Sequence, residues 1–153
     1  MIRKTIISDT SCLIALERIN QLEIIHLLFS TIITTPEVAT EYGRTLPNWI
    51  STVEVIHKNK IKELEIIVDN GEASAIALAI ETKDSLLIID EKKGRQLAAD
   101  LKLETIGTLR ILLLAKQKGI IHSVKDLIIA LEKASFRFSK NIILEILTLA
   151  GEQ

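Results

Sequence analysis

Short apolar runs alternate with stretches of helical spacing along the whole chain. Residues 5–8 read Thr-Ile-Ile-Ser, residues 31–34 Thr-Ile-Ile-Thr and residues 86–89 Leu-Leu-Ile-Ile. Runs this short, rich in β-branched residues and apolar without alternation, predict strands buried on both faces. Residues 53–56, Val-Glu-Val-Ile, do alternate and predict an edge strand. Residues 104–106 predict a last short strand closed by Gly107. Helical patterns fall between them, over 12–18, 22–29, 37–44, 60–68, 71–81 and 92–102. Three more follow over 109–118, 124–133 and 141–150. Pro36 suits the first position of its helix, where no backbone N–H is needed, and 46–49 (Leu-Pro-Asn-Trp) reads as a loop. Strands alternating with helices predict an α/β fold, a three-layer α/β/α sandwich around a mainly parallel sheet.

Composition narrows the function classes. A chain of 153 residues is about one domain's length, so residues 1–153 are expected to form a single domain. With 48% hydrophobic and 25% charged residues the chain is not disordered. Aromatic residues are only 3%, too few for a nucleic-acid site built of stacked rings. The 19 basic and 20 acidic side chains nearly cancel, so any nucleic-acid partner must be held by a local patch. Cys12 is the lone cysteine, which excludes an internal disulfide and a Cys-rich zinc site and suits a reducing compartment. Charges punctuate every apolar stretch, and the basic start at Met1–Lys4 leads into no long apolar segment. A soluble cytoplasmic protein without signal peptide or membrane span is expected.

The acidic residues carry the chemistry. In open α/β sheets ligands bind beyond the carboxyl ends of the strands. Asp9 ends the first predicted strand and Asp90 the most apolar one. If those strands are neighbours, the two carboxylates repel each other, and a divalent cation with a taste for hard oxygen ligands relieves the repulsion. Glu41, on the helix after Pro36, and Glu72, in the first turn of the Ala-rich helix, are placed to join them. Each acid taken singly has an ordinary alternative. Asp9 and Asp90 can cap helices, Glu72 can oppose a helix dipole and Glu41 can sit on a solvated face. The argument rests on the set.

The pattern Ser8-Asp9-Thr10-Ser11 with Leu13-Ile14-Ala15-Leu16, then Pro36-Glu37-Val38 with Glu41, then Gly71-Glu72-Ala73-Ser74-Ala75, then Leu87-Ile88-Ile89-Asp90 and Ile106-Gly107-Thr108-Leu109 resembles the PIN-domain nucleases. Within them it is similar to a branch related to the toxin components of prokaryotic toxin–antitoxin pairs. The resemblance spans nearly the whole chain and implies a PIN-like sandwich and a metal-dependent ribonuclease using Mg²⁺ or Mn²⁺. Carried over, Asp9, Glu41, Glu72 and Asp90 match the family's acids, with Asp9, Glu72 and Asp90 as metal ligands. Ser11, or Thr10, matches the hydroxyl that orients the first acid. The implied partners are an RNA substrate, a small antitoxin protein and a second copy of the chain. The alternative is a catalytically weak PIN-like module that binds RNA or a protein; a receiver-like phosphoryl switch ranks below both, since no Lys follows the strand at 104–106.

Other residues have simpler readings. Lys92, Lys93 and Arg95 follow Asp90 and suit either an RNA phosphate or a solvated helix face, and Lys58, Lys60 and Lys62 suit solvation. His26, His57 and His122 show no metal-ligand spacing. His26 reads as a packed or rim residue, Trp49 as a cover for the core and Cys12 as a small buried residue. The helices at 22–29, 109–115 and 142–149 read as core, one of them leaving an apolar face for a dimer; the mean hydropathy of +0.32 fits that.

Overall fold

The computed structural model describes residues 2–153, with side chains from Lys4 onward, so Met1 and the side chains of Ile2 and Arg3 lie outside the described residues. Strands β1 (Ile2–Ser8), β2 (Phe29–Thr34), β3 (Ile50–Thr52), β4 (Ser85–Ile88) and β5 (Thr105–Ile106) form one parallel sheet. Their order is β3-β2-β1-β4-β5, which puts the chain's first strand at the centre. Ile6 pairs with Ile32 on one side and Leu86 on the other, and Ile6 and Ile7 are fully buried. This is why these strands carry no polar alternation. Both edge strands are two or three residues long, which limits pairing with other chains.

Helices cover the sheet as a three-layer α/β/α sandwich: α1 (Thr10–Arg18), α2 (Glu23–Leu28), α3 (Pro36–Tyr42), α4 (Lys58–Leu64), α5 (Asn70–Glu81), α6 (Lys92–Asp100), α7 (Thr108–Gln117), α8 (Val124–Lys133) and α9 (Lys140–Leu149). Their ends follow local chemistry. Pro36 is the first residue of α3, after the Thr35 hydroxyl that accepts from Val38 N–H at 3.0 Å. Gly43, at φ 71°, ends the same helix in the left-handed region, two residues short of the predicted 44. Ala-rich α5 packs against α3, α4, α6 and the central strands, and eight of its twelve residues are buried.

Several bounds shift, α4 being Lys58–Leu64 and not 60–68 and Phe29 opening β2 instead of ending a helix, and one strand moves altogether. The edge strand is Ile50–Thr52, not 53–56. Parallel pairing with β2 runs through Ile33–Ser51 and Thr34–Thr52 and ends with Val53 N–H donating to Thr34 O at 2.8 Å. The chain then leaves the sheet, and the backbone N–H groups of Ile56 and His57 turn to the Glu81 carboxylate. Val55 is buried beyond the strand, and that burial produces the misleading alternation. Trp49 and His26 stack on each other, ring centroids 4.7 Å apart, as cover for this corner. Among the described residues no helix is long and apolar enough to cross a membrane.

Candidate active site

The central position of β1 decides the geometry of the acids. β1 and β4 are neighbours, with Ser8 opposite Ile88, and Asp9 N–H donates to Ile88 O at 3.2 Å. The turns carrying Asp9 and Asp90 therefore leave the sheet side by side. Buried hydroxyls tie the next elements to this end. Thr34 Oγ1 donates to Ser8 O at 2.7 Å, Thr35 and Ser74 share a 2.6 Å hydrogen bond, and Ser74 donates to Gly71 O at 2.8 Å. These bonds fix the first turn of α5 over the carboxyl ends of β1 and β2. Asp9, Glu41, Glu72 and Asp90 all line one cavity of about 990 Å³.

Each carboxylate is held differently. Asp9 is 2% exposed. It caps α1, accepting from Cys12 N–H at 3.4 Å, and also accepts from the Ser11 hydroxyl at 3.2 Å. The capping alternative read from the sequence is thus real, and it coexists with the cavity position. Asp90 does not cap α6, as the other alternative had it. It accepts from Thr108 N–H at 2.9 Å and Thr108 Oγ1 at 2.5 Å, at the start of α7. Glu41 bridges two elements, accepting from Thr10 Oγ1 at 2.6 Å and Gly71 N–H at 3.1 Å. Glu72 Oε2 is buried and has no hydrogen-bond partner.

Three glycines make room for these groups, and a Cβ on Gly94 would stand 2.8 Å from Glu72 Oε2. A Cβ on Gly71 would overlap Glu41 Oε1, and one on Gly107 would stand 2.9 Å from Asp90 Oδ1. Glycine at all three positions allows the backbone to approach a carboxylate closely.

The electrostatics follow from burial. Desolvation first, and the Asp90 charge second, push the Asp9 carboxyl well above the usual range; its hydrogen bonds oppose this and Glu72 adds to it. Burial first, then the neighbouring Asp69, raises Glu72 to about 7. Cys12 lies fully buried beside this cluster, where desolvation and the Asp90 charge raise its thiol, so it is a packing residue. Among the described residues no three His, Cys, Asp or Glu side chains already stand close enough to hold one ion. The oxygen-only donor set, the buried Glu72 Oε2 without a partner, and the burial and acid–acid repulsion that together raise Asp9 do fit a hard divalent cation.

Basic residues line the same cavity, among them Arg95, which shares the neighbourhood of Gly107 with Asp90. Lys92 and Arg95 from α6, Arg110 from α7 and Arg137 from the loop before α9 reach the cavity, together with Phe138. Arg110 is tied to Glu145 at 2.7 Å. Lys58 and Lys60, by contrast, pair with Glu54 and Glu63 on the surface, away from the cavity. A family profile described as a PIN domain matches residues 5–152. The chain belongs to the PIN-domain family. No curated protein and no solved structure gives a significant match. A PIN domain is a nuclease-type fold that takes nucleic acid as substrate and typically uses divalent metal ions. In this PIN domain the four acids singled out from the sequence all line the cavity, but Asp69, Glu91 and Glu145, which line it too, were not among the candidates, nor were Thr108, Arg110, Arg137 and Phe138. Thr108 carried the one available signal, its place directly after the strand-closing Gly107.

Proposed function

We propose that this PIN domain is a metal-dependent endoribonuclease. The observation that supports it best is the meeting of Asp9 and Asp90 at the carboxyl ends of adjacent strands, with Glu72 and Glu41 around the same cavity. Asp9, Glu72 and Asp90 would hold Mg²⁺ or Mn²⁺. Such an ion lowers the pKa of a bound water and offsets charge on the attacked phosphate. The chain's own groups do the rest. Ser11 and Cys12 N–H fix the Asp9 carboxylate, and Thr108 fixes both oxygens of Asp90, while each oxygen keeps a second lone pair. Glu41, tethered to Thr10 and Gly71, is the further acid of the set. Lys92 and Arg95 at the rim supply positive charge for the phosphates of the strand.

We further propose the role of a toxin with a small antitoxin protein as partner and a dimer as its assembly. Exposed Leu144 and Leu149 of α9 are apolar surface that such partners would cover. A second reading, a PIN-like module that binds without cutting, draws support from the formal net charge of −1, which concentrates no RNA at the surface. The test is RNA cleavage in Mn²⁺ by the wild type and by Asp90→Asn. Turnover by the wild type alone is expected. Equal turnover by both, after removal of contaminating nucleases, contradicts the proposal, and binding without turnover by the wild type supports the second reading.

A further inference from the structure

This inference rests on the nuclease reading and assigns a substrate contact within the same cavity. The chain's aromatic residues are few, and nearly all are already engaged. Phe29 and Tyr42 are core residues, 1% and 8% exposed. Trp49 stacks on His26, and Phe136 carries the Arg18 guanidinium over its ring at 5.4 Å. Phe138 is the remaining one. Its half-buried ring packs on the core and lines the acidic cavity. Arg137 beside it is exposed and also lines the cavity, its guanidinium donating to the Glu132 carbonyl at 3.2 Å. A ring anchored on one side and open to a site for nucleic acid offers a stacking surface, and a neighbouring guanidinium offers a phosphate contact.

We propose that Phe138 and Arg137 form a nucleotide subsite of this cavity: Phe138 stacks an unpaired base next to the cleaved bond, and Arg137 holds that nucleotide's phosphate. The low aromatic content excludes a groove lined with rings, but a single platform needs only one. The subsite selects single-stranded RNA, because a base paired in a duplex cannot present its face to Phe138.

The test uses a fluorescently labelled single-stranded hexaribonucleotide, bound in the Asp9→Asn background so that it is not cut. Phe138→Leu is expected to weaken binding about tenfold, the scale of one base–aromatic stack, and Phe138→Trp to retain it. A series of oligonucleotides, each with one abasic position, is expected to contain one member that the Phe138→Leu protein and its parent bind equally. Arg137→Gln, on an exposed side chain, guards against a folding defect and is expected to reduce the salt slope of binding by about one. Equal affinity for Phe138→Leu and its parent, or an unchanged slope for Arg137→Gln, overturns the subsite. Cleavage by the wild type alongside such a result overturns the subsite while leaving the nuclease reading intact. Binding that depends on Phe138 without cleavage by the wild type overturns the nuclease reading and keeps the subsite. Failure of the wild type to bind RNA at all overturns both.

Discussion

Glu72 stands in the first turn of α5 and Glu152, from the tail after α9, sets its carboxylate on the first turn of α8; their surroundings treat them in opposite ways. Glu152, near the end of the chain, accepts from Lys116 Nζ at 2.8 Å, Ser123 Oγ at 3.1 Å, Val124 N–H at 2.8 Å and Lys125 N–H at 3.0 Å. Burial opposes its charge, but these donors, Lys116 foremost, outweigh burial and bring it to about 2. Glu72 has a buried oxygen with no donor and an acidic neighbour, and it rises to about 7. One carboxylate is satisfied by the fold and holds α7, α8 and the chain end together. The other is left unsatisfied in a cavity. Groups whose polar needs the fold leaves unmet are where a ligand has something to supply. Glu37 Oε1 is likewise buried without a partner but does not line the cavity, so it is the unmet oxygen together with the cavity position that marks Glu72 as candidate chemistry.

Four substitutions sharpen or break the contrast. The largest effect belongs to the cavity: Asp9→Asn is expected to lower RNA cleavage by a factor on the order of 10² or more. Its melting temperature should stay equal or rise, because the amide can still accept from Cys12 N–H while the acid–acid repulsion is gone. A clear fall in melting temperature together with full cleavage would reverse the roles assigned to the two regions.

Glu152→Ala comes next and should do the reverse, leaving cleavage per folded molecule unchanged. The expected cost is about 1–2 kcal/mol, the scale of losing a helix N-cap, or roughly 2–8 °C in melting temperature for a chain of this length. The native carboxyl lies below its unfolded value, so its contribution is present above about pH 4.5 and is lost as pH falls toward 2. Acid unfolding monitored by circular dichroism should therefore begin at higher pH in Glu152→Ala than in the wild type, and the two stabilities should converge as pH falls toward 2.

The third effect is smaller and of opposite sign. Glu72 has a folded value raised from 4.5 to about 7, so the folded state holds its proton more tightly than the unfolded one. Metal-free stability then declines as pH rises from about 4.5 to 7. Glu72→Gln is expected to flatten that decline, by about 1 kcal/mol or less after solvent screening, and to weaken Mn²⁺ binding. Thermal melts in chelator across this pH range check it. The smallest effect is expected for Gly71→Ala. The added methyl displaces the Glu41 carboxylate, lowering cleavage a few-fold, while stability stays within about 1 kcal/mol because alanine is the better helix former.

Much of the fold was legible because local and global preferences agree. The apolar runs became central strands, and the Ala-rich stretch became the buried helix α5. The exception, the edge strand, is set by register with β2 and not by its own alternation, which no local pattern reveals. The candidate site was half legible. Asp9 and Asp90 announce themselves by ending apolar strands, and the central place of β1 makes them neighbours. Thr108 was hidden because Asp90 finds its donors 18 residues on, at α7, and not in the helix that follows it. Arg137 and Phe138 were hidden more deeply. They come from a loop far along the chain, and only tertiary folding carries them to the acids.

The central claim is that these carboxylates are gathered for a cation, and calorimetric titration of Mn²⁺ into the metal-free wild type and Asp9→Asn proteins tests it most directly. Binding by the wild type, with release of protons near neutral pH and loss of the signal in Asp9→Asn, is the predicted result. A folded, metal-free wild type that takes up no Mn²⁺, or an Asp9→Asn protein that binds it equally well, would contradict the claim.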